Sequence, residues 1–195
     1  MSMQIQIAAR REFKSLDLWE MHKLRAKVFK DRKGWEVPVM SGMEIDGYDA
    51  LDPYYMMIRE PGVETLRGCW RLLPTEGPYM LKDSFAELLH GEAAPVDSRI
   101  WELSRFAIET DCDSAYKVSQ ITMESFAAMT EYGRKHGIER FVTVTTTSLE
   151  RLVTRAGFVT ERLGPPVQIG IEKAVALYID VDATFDVLNQ YRLAA

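Results

Sequence analysis

The sequence predicts an α/β (α+β) protein, folded as a single domain over residues 1–195 around one sheet. Three observations support this class. A length of 195 residues is typical of one domain. The apolar fraction of 47% and the charged fraction of 27% are those of an ordinary globular chain. Segments with helical and strand patterns alternate along the chain, as they do where helices pack on a sheet.

Local signals place the individual elements. Met21 and Leu24 show the spacing of an amphipathic helix whose start Ser15 can cap, and Pro74 ends a strand. Glycines follow three later helices, and one segment is rich in β-branched residues, which favour strands. In chain order the predicted elements are a helix over 15–30, an irregular stretch over 31–50, strands over 54–58 and 66–73, a helix over 81–90, a strand over 100–108, a helix over 116–136, a strand over 141–147, a helix over 148–156, a strand over 173–181 and a helix over 183–193.

Bulk properties exclude several classes of function. With 24 basic and 29 acidic residues the formal net charge is −5, which disfavours general nucleic-acid binding. No apolar run approaches the roughly 20 residues of a membrane helix, and Met1–Arg11 lack the apolar core of a signal peptide. Cys69 and Cys112 show neither metal spacing nor a disulfide framework, so a cytoplasmic location is expected. The three histidines are scattered, and no metal site is predicted.

The stretch 101–107 places charged groups inside an apolar, strand-like segment. Glu102, Ser104 and Phe106 should share one face of the strand, and Arg105 should point to the other face unless a bulge re-aims it. An edge-strand salt bridge explains these charges without any function. The functional alternative is a polar site inside the sheet, where a carboxylate holds an ammonium group or accepts its proton.

An acidic cluster extends this pattern. Glu44, Asp46 and Asp49 lie in an irregular segment, where a solvated loop is the simpler interpretation and a calcium loop would lack its terminal glutamate. Carboxylates also attract cationic substrates. The aromatic residues Phe29 and Trp35 can add cation–π contacts to such a substrate, although core packing is the commoner role of an aromatic residue.

Three arginines in apolar surroundings are candidate anion holders, because a guanidinium binds a carboxylate through two parallel hydrogen bonds. They are Arg25, Arg71 and Arg105, each of which alone is more often a surface or salt-bridged residue. Ten methionines indicate an adaptable apolar interior, which would suit a flexible acyl chain or serve simply as core. Apolar candidates for an acyl pocket are Trp70, Met80, Leu103, Met123, Phe126, Met129, Val144 and Leu152.

Four stretches form a set: Arg25-x-x-x-Phe29 with Trp35, Glu44-x-Asp46-Gly47-Tyr48-Asp49, Gly68-x-x-Arg71-Leu72-Leu73-Pro74-Thr75, and Trp101-Glu102-Leu103-Ser104-Arg105-Phe106-Ala107. Together they resemble the signature of the acyl-homoserine-lactone synthases, the LuxI-type autoinducer synthases, most strongly the LasI-type branch. The resemblance implies an N-acetyltransferase-like three-layer sandwich, in which helices flank a twisted mixed sheet with a V-shaped cleft.

The resemblance also implies a reaction. An acyl group passes from acyl carrier protein to the amine of S-adenosylmethionine, the product lactonises, and methylthioadenosine leaves; the lactone serves quorum sensing. No cofactor is implied, since S-adenosylmethionine is a substrate. Catalytic roles are implied for Glu102, Ser104, Arg105 and Asp46, with Glu102 orienting the amine or relaying its proton. Roles in binding S-adenosylmethionine are implied for Arg25, Phe29, Trp35, Asp46, Asp49, Arg71, Arg105 and Phe106.

Acyl-chain and carrier-protein contacts follow from the same resemblance. Thr143, Val144 and Thr145 join the apolar candidates of the acyl pocket. In the resembling synthases, a threonine matching Thr143 accompanies a preference for 3-oxo-acyl chains. The resemblance therefore implies a 3-oxo chain of about C8–C12. Each CH2 group of that chain contributes to binding by burial. Arg151 and Arg155, one helical turn apart, match basic positions that dock the acidic carrier protein, with a solvated helix face as the alternative.

Two rival functions stay open. A CoA-dependent N-acyltransferase of the same fold usually holds the pyrophosphate with a glycine-rich loop, whereas Arg105 is followed by Phe-Ala-Ile-Glu-Thr-Asp. A non-enzymatic binder of acylated signals would use the same apolar pocket, yet it gives no reason for Glu102 and Arg105 beside an acidic cluster.

Overall fold

Strands and helices alternate along the chain in the computed structural model, which describes residues 2–63, 65–109 and 120–194. The regular elements of these residues, in chain order, are β1 (Gln4–Ala9), α1 (Ser15–Ala26), β2 (Val39–Met40), β3 (Met43–Glu44), β4 (Tyr54–Arg59), β5 (Leu66–Pro74), α2 (Met80–Asp83), β6 (Ile100–Ile108), α3 (Gln120–Lys135), β7 (Arg140–Thr146), α4 (Thr147–Arg155), β8 (Thr160–Arg162), β9 (Val167–Ile169), β10 (Glu172–Asp180) and α5 (Val181–Ala194). They fall into two compact units, Met1–Leu72 with Arg105–Ser125, and Leu73–Ser104 with Phe126–Ala195.

The first unit is built on an antiparallel ladder. β1 pairs with β4 along its whole length, and β4 pairs with β5 so that Tyr55 lies opposite Arg71. β6 follows β5 in the sheet. Glu109, the residue after the end of β6, donates its N–H to the Arg67 carbonyl of β5 at 2.8 Å. A buried apolar cluster joins α1 to these strands; its members are Phe13, Met21, Leu24, Val28, Phe29, Tyr55, Met57, Leu66, Cys69 and Ala107.

Helix α1 confirms the first predicted helix but not its cap. Lys14 occupies the N-cap position, and Ser15 already lies inside the helix, so the predicted capping role of Ser15 is wrong. The Lys14 N–H donates instead to the Asp17 carboxylate at 3.3 Å. A π-helical segment, Lys27–Arg32, continues α1 to the end of the predicted range.

The segment predicted to be irregular contains regular structure. β2 and β3 pair as an antiparallel hairpin, and a 3₁₀ helix follows over Gly47–Leu51. Both elements are only two to five residues long. Periodicity cannot reveal elements of that length, and the three-residue strands β8 and β9 escape prediction for the same reason. β1, six residues long, is a further strand that the sequence analysis does not predict.

In the second unit the strands lie in the order β6, β7, β10 and β8, with β9 also paired to β10. β6 runs parallel to β7, with Leu103 opposite Thr143, whereas β7 is antiparallel to β10, with Phe141 opposite Ile179. Parallel and antiparallel pairs therefore occur together. This mixture, with α3 and α4 between strands in sequence and α5 after the last strand, confirms the predicted α/β class with a mixed sheet.

The helix predicted over 81–90 is broken in two. α2 ends after one turn because the Met80 carbonyl accepts N–H groups from both Ser84 and Phe85, at 2.8 and 3.0 Å, and a 3₁₀ helix follows over Ala86–Leu89. The other predicted helices are confirmed, although residues 116–119 of the predicted third helix, like Cys112, lie outside the described residues. None of the helices seen in the described residues combines the length and apolar character needed to cross a membrane.

Candidate functional site

A buried network of charges lies in the first unit. It joins three guanidiniums to three carboxylates, so its formal charges cancel. We call it the arginine–carboxylate network; its members are Arg25, Arg71, Arg105, Glu44, Asp46 and Asp49. The side chains of Arg25, Arg71 and Glu44 are 0% exposed, and that of Arg105 is the most exposed at 13%. Buried charges of this kind persist only when each is paired and hydrogen-bonded.

Arg25 ties α1 to the acidic segment. Its two terminal nitrogens donate to the two oxygens of Asp49 at 2.8 and 2.9 Å, and its Nε donates to Glu44 Oε2 at 2.5 Å. Burial alone would raise the pKa of Asp49. The hydrogen bonds and charge of Arg25, with the charge of Arg71, instead hold that pKa well below its usual range.

The aspartates also build the turn that carries them. The Asp46 carboxylate accepts the Tyr48 N–H at 2.9 Å, and the Asp49 carboxylate accepts the Asp46 N–H at 2.8 Å, which caps the 3₁₀ helix. Glu44 and Asp49 are 0% and 3% exposed. A solvated loop is therefore the wrong interpretation of this cluster, because the same carboxylates cap a turn and pair with buried arginines.

Arg71 enters the network from β5. Its terminal nitrogens donate to both oxygens of Asp46 at 2.5 and 3.0 Å, and one of them also donates to Asp49 Oδ1 at 3.0 Å. Tyr55, opposite Arg71 in the ladder, donates its hydroxyl to the same Asp49 oxygen at 2.5 Å. Burial and the charge of Asp49 raise the pKa of Tyr55. No sequence pattern singles out Tyr55, since a tyrosine in a strand is ordinary.

Arg105 reaches the network through an unusual backbone conformation. Its φ of +55° lies in the left-handed region, although it sits within β6. The alternation of side chains along the strand is therefore interrupted at Arg105, which the sequence analysis names as the residue that could depart from it. Its Nε donates to Glu44 Oε1 at 3.1 Å, and Nη2 pairs with Asp46 Oδ2 at 2.7 Å. Burial lowers the pKa of Arg105, and its guanidinium lies 5.7 Å from the centre of the Phe29 ring.

Aromatic side chains of the first unit form two stacks. Phe29, in the π-helical segment, stacks on Trp35 with ring centres 5.5 Å apart and planes 3° from parallel. The Trp35 Nε1–H is buried and has no hydrogen-bond partner among the described residues. Phe106 packs on Trp70 at 4.4 Å. The first unit thus contains every residue predicted to bind S-adenosylmethionine, and seven of the eight, all but Phe106, lie in the network or in the Phe29–Trp35 stack.

Glu102 lies in the second unit and is 1% exposed. Its Oε2 accepts the Met80 N–H at 3.0 Å, and its Oε1 accepts the Leu81 N–H at 2.7 Å, at the start of α2. The carboxylate therefore fixes the first turn of that helix. Ser104, two residues further along β6, is half-buried.

Two threonines of β7 differ in how their hydroxyls are used. Thr143 Oγ1 donates to the Leu103 carbonyl at 2.8 Å across the β6–β7 pair. Thr145 Oγ1 is buried and has no hydrogen-bond partner in the described parts of the chain. A buried hydroxyl without a partner is costly, which is the reason such groups often meet a ligand.

The remaining predicted residues are divided between the units. Met80, Leu103 and Phe126 are buried in the second unit, where Val144 and Leu152 are half-buried; Trp70 and Met123 belong to the first unit. Arg151 and Arg155 are exposed on α4. Within residues 2–63, 65–109 and 120–194, no group of three or more His, Cys, Asp or Glu side chains could hold a metal ion.

Comparisons with known proteins point to one family. The profile of the family described as Autoinducer synthase matches residues 10–187. An acyl-homoserine-lactone synthase of Pseudomonas aeruginosa is 53% identical over 182 residues, which cover 93% of this chain and 90% of that relative. The crystal structure of the AHL synthase LasI aligns with a TM-score of 0.87 and 52% identity, covering 95% of this chain and 93% of that one.

Two further structures bear on the donor and on the fold. BjaI, described as a CoA-dependent acyl-homoserine lactone synthase and solved with SAM and isopentyl-CoA, aligns with a TM-score of 0.85 and 27% identity over 97% of this chain and 89% of its own. A Lactobacillus plantarum protein described as an N-acetyltransferase aligns with a TM-score of 0.62 at 14% identity, over 93% and 99% of the two chains. The latter likeness concerns the fold alone and confirms the predicted N-acetyltransferase-like class.

Removing one guanidinium from the network should strongly destabilise the protein. Arg25→Met leaves the buried carboxylates of Glu44 and Asp49 without their main partner, so we expect the free energy of unfolding to fall by about 3–5 kcal/mol. Urea denaturation measures this change. Arg11→Met is the matched control, since Arg11 pairs with Asp52 at the surface and is 70% exposed; its midpoint should not move. Equal midpoints for both variants would contradict the stabilising role of the network.

Proposed function

Because the chain belongs to the autoinducer synthase family and is an acyl-homoserine-lactone synthase, we propose that the arginine–carboxylate network binds the substrate S-adenosylmethionine. One observation carries this proposal. Three guanidiniums, three carboxylates and the Phe29–Trp35 stack converge within one compact unit. SAM is a ligand in the structure of the related BjaI, which supports the assignment.

The chemistry of the substrate matches the groups of the network. S-adenosylmethionine carries a carboxylate, an ammonium, a sulfonium and an adenine ring. We assign its carboxylate to Arg105, the most exposed guanidinium of the network, and its ammonium to Asp46, whose side chain is 11% exposed. The Phe29–Trp35 stack would receive the sulfonium or the adenine.

The proposed reaction has two steps. The α-amine loses a proton and attacks the acyl thioester carbonyl; the amide bond forms, and the donor thiol leaves with a proton. The substrate carboxylate then attacks its own γ-carbon, whose bond to sulfur breaks, so that the lactone closes and neutral methylthioadenosine leaves. Glu102 is proposed to orient the amine or relay its proton, because two backbone N–H groups hold its buried carboxylate in one orientation. Ser104, on the same strand, is proposed to assist it.

Acyl carrier protein is the proposed acyl donor. The six residues after Arg105 contain no glycine for a pyrophosphate-binding loop, and exposed Arg151 and Arg155 offer positive charge to an acidic carrier protein. Acyl-CoA is the second candidate, because BjaI is described as CoA-dependent on the same fold. A cytoplasmic location, where the free Cys69 would remain reduced, completes the proposal.

The test of the activity is product analysis. A heterologous host expressing the chain should release an acyl-homoserine lactone, and the purified protein should release methylthioadenosine from S-adenosylmethionine and acyl carrier protein. Mass spectrometry measures both products, with Glu102→Ala, checked for folding by circular dichroism, as the inactive control. Lactone formed only from acyl-CoA would overturn the donor assignment. Folded protein that binds acyl chains but forms no lactone from either donor would favour the signal-binding alternative.

Selection of a 3-oxo chain should depend on Thr145 rather than Thr143. The Thr143 hydroxyl already donates to Leu103, whereas the buried Thr145 hydroxyl has no partner among the described residues and would donate to the 3-oxo group. Thr145→Val should lower the ratio of 3-oxo to unsubstituted lactone by about tenfold, the equivalent of one buried hydrogen bond.

Thr143→Val is the matched control for this prediction, since it removes a hydroxyl from the same face of the same strand. It should leave the product ratio within about twofold of the parent, below the effect of a full hydrogen bond. The measurement is mass spectrometry of lactones formed from an equimolar mixture of 3-oxo-acyl and acyl carrier proteins. A ratio that changes with Thr143 alone would refute the assignment to Thr145.

Docking of the carrier protein should depend on the charge of α4. The double variant Arg151→Glu and Arg155→Glu should raise the Michaelis constant for acyl carrier protein about tenfold at low salt, leave that for S-adenosylmethionine unchanged, and weaken the salt dependence. Steady-state kinetics at two ionic strengths measure these changes. Arg134→Glu, on α3, is the control for added negative charge. Unchanged carrier-protein kinetics at low salt would remove the docking role.

A further inference from the structure

A buried histidine lies directly against the arginine–carboxylate network. His22 is on α1, three residues before Arg25 and on the same face of that helix. It is 6% exposed, and its Nδ1 lies 2.8 Å from the Glu44 carbonyl oxygen. A carbonyl only accepts, so Nδ1 must carry the proton and donate it. In the sequence, His22 stands out only as one of three scattered histidines.

Burial of the ring favours its neutral form. Burial and the positive charge of Arg25 lower the pKa of His22, while the charges of Asp49 and Glu44 act in the opposite sense. The ring edge meets the Tyr55 ring at 6.5 Å and 85°. A neutral, single-tautomer imidazole on the helix that carries Arg25 therefore packs against the tyrosine that donates to Asp49.

The contact of His22 is with the backbone of Glu44, and the side chain of Glu44 links two guanidiniums. Glu44 Oε2 accepts from Arg25 at 2.5 Å, and Oε1 accepts from Arg105 at 3.1 Å. β3 is only two residues long, so the ladder holds Glu44 weakly. The hydrogen bond from His22 fixes the carbonyl end of Glu44, and the ion pairs fix its carboxylate end.

We propose that His22 is a positioning residue for S-adenosylmethionine binding, because it holds Glu44 at the place where its carboxylate orients Arg105. The inference rests on the proposed role of the network as the substrate site. His22 does not touch the substrate in this scheme. Its loss should let Glu44 shift, which would misplace Arg105 for the substrate carboxylate and weaken substrate binding more than it slows the chemistry.

Two amide variants separate the hydrogen bond from simple filling of space. The amide nitrogen of Asn can occupy the position of imidazole Nδ1, whereas that of Gln falls nearer Nε2. His22→Asn should therefore keep the hydrogen bond to Glu44, and His22→Gln should lose it, although both are polar and similar in size. His136→Gln is the control, since His136 also has Nδ1 2.8 Å from a backbone carbonyl, that of Tyr132, but is exposed on the surface.

The experiment is steady-state kinetics with acyl carrier protein as donor, together with the denaturation midpoint of each variant. His22→Gln should raise the Michaelis constant for S-adenosylmethionine about tenfold, with kcat and the constant for the donor within about twofold of the parent. His22→Asn should restore the Michaelis constant to within about threefold, and His136→Gln should change nothing. A purely structural role would lower the midpoint and the active fraction of enzyme without moving this constant.

Arg105→Lys distinguishes failure of this inference from failure of the proposed site. If Arg105→Lys raises the Michaelis constant for S-adenosylmethionine and His22→Gln does not, the positioning role of His22 is refuted while the site stands. If neither variant changes that constant in an active enzyme, the network is not the substrate site and both proposals fail. Equal effects of His22→Asn and His22→Gln would also overturn the inference, because only one of them retains the hydrogen bond.

Discussion

Charge balance inside a water-excluding interior is the constraint on which the first unit depends. Each guanidinium or carboxylate removed from water costs several kcal/mol unless its partners replace the lost hydration. Arg25 and Arg71 are completely buried and satisfied only because three carboxylates lie within hydrogen-bonding distance. The hairpin that presents Glu44 and the capped turn that presents Asp46 and Asp49 are therefore required by the arginines as much as by the backbone.

The same constraint accounts for the conformation of Arg105. A non-glycine residue in the left-handed region costs about 1–2 kcal/mol. With extended geometry its side chain would follow the alternation of β6 and point to the face opposite to Ser104 and Phe106. The ion pairs with Glu44 and Asp46, both within the buried network, offset the backbone cost. The strained backbone thus places the guanidinium among carboxylates. This is the position where the proposed substrate carboxylate would bind.

Sequence patterns predict the helices and strands that have a hydrophobic period. They miss the elements whose ends depend on a single contact distant in sequence. β6, β7 and β10 were predicted because β-branched and apolar residues run through them, and the signature stretches identified Arg25, Arg71 and Arg105. The helix predicted over 81–90 is instead broken after one turn, where the Met80 carbonyl accepts two N–H groups. The start of that turn is held by Glu102, which accepts the Met80 and Leu81 N–H groups. No local pattern encodes such contacts between residues about twenty positions apart.

The overall neutrality of the network limits how strongly it could attract a cationic substrate from a distance. S-adenosylmethionine carries one net positive charge, but a cluster with three positive and three negative side chains exerts little net attraction at long range. Affinity must then come from fixed dipoles at short range, which act only if their positions are held before the substrate arrives. Rigidity is therefore part of recognition. In the proposed site, the hydroxyl of Tyr55 and the imidazole of His22, which bond to Asp49 and Glu44, would contribute to binding by restricting motion rather than by touching the ligand.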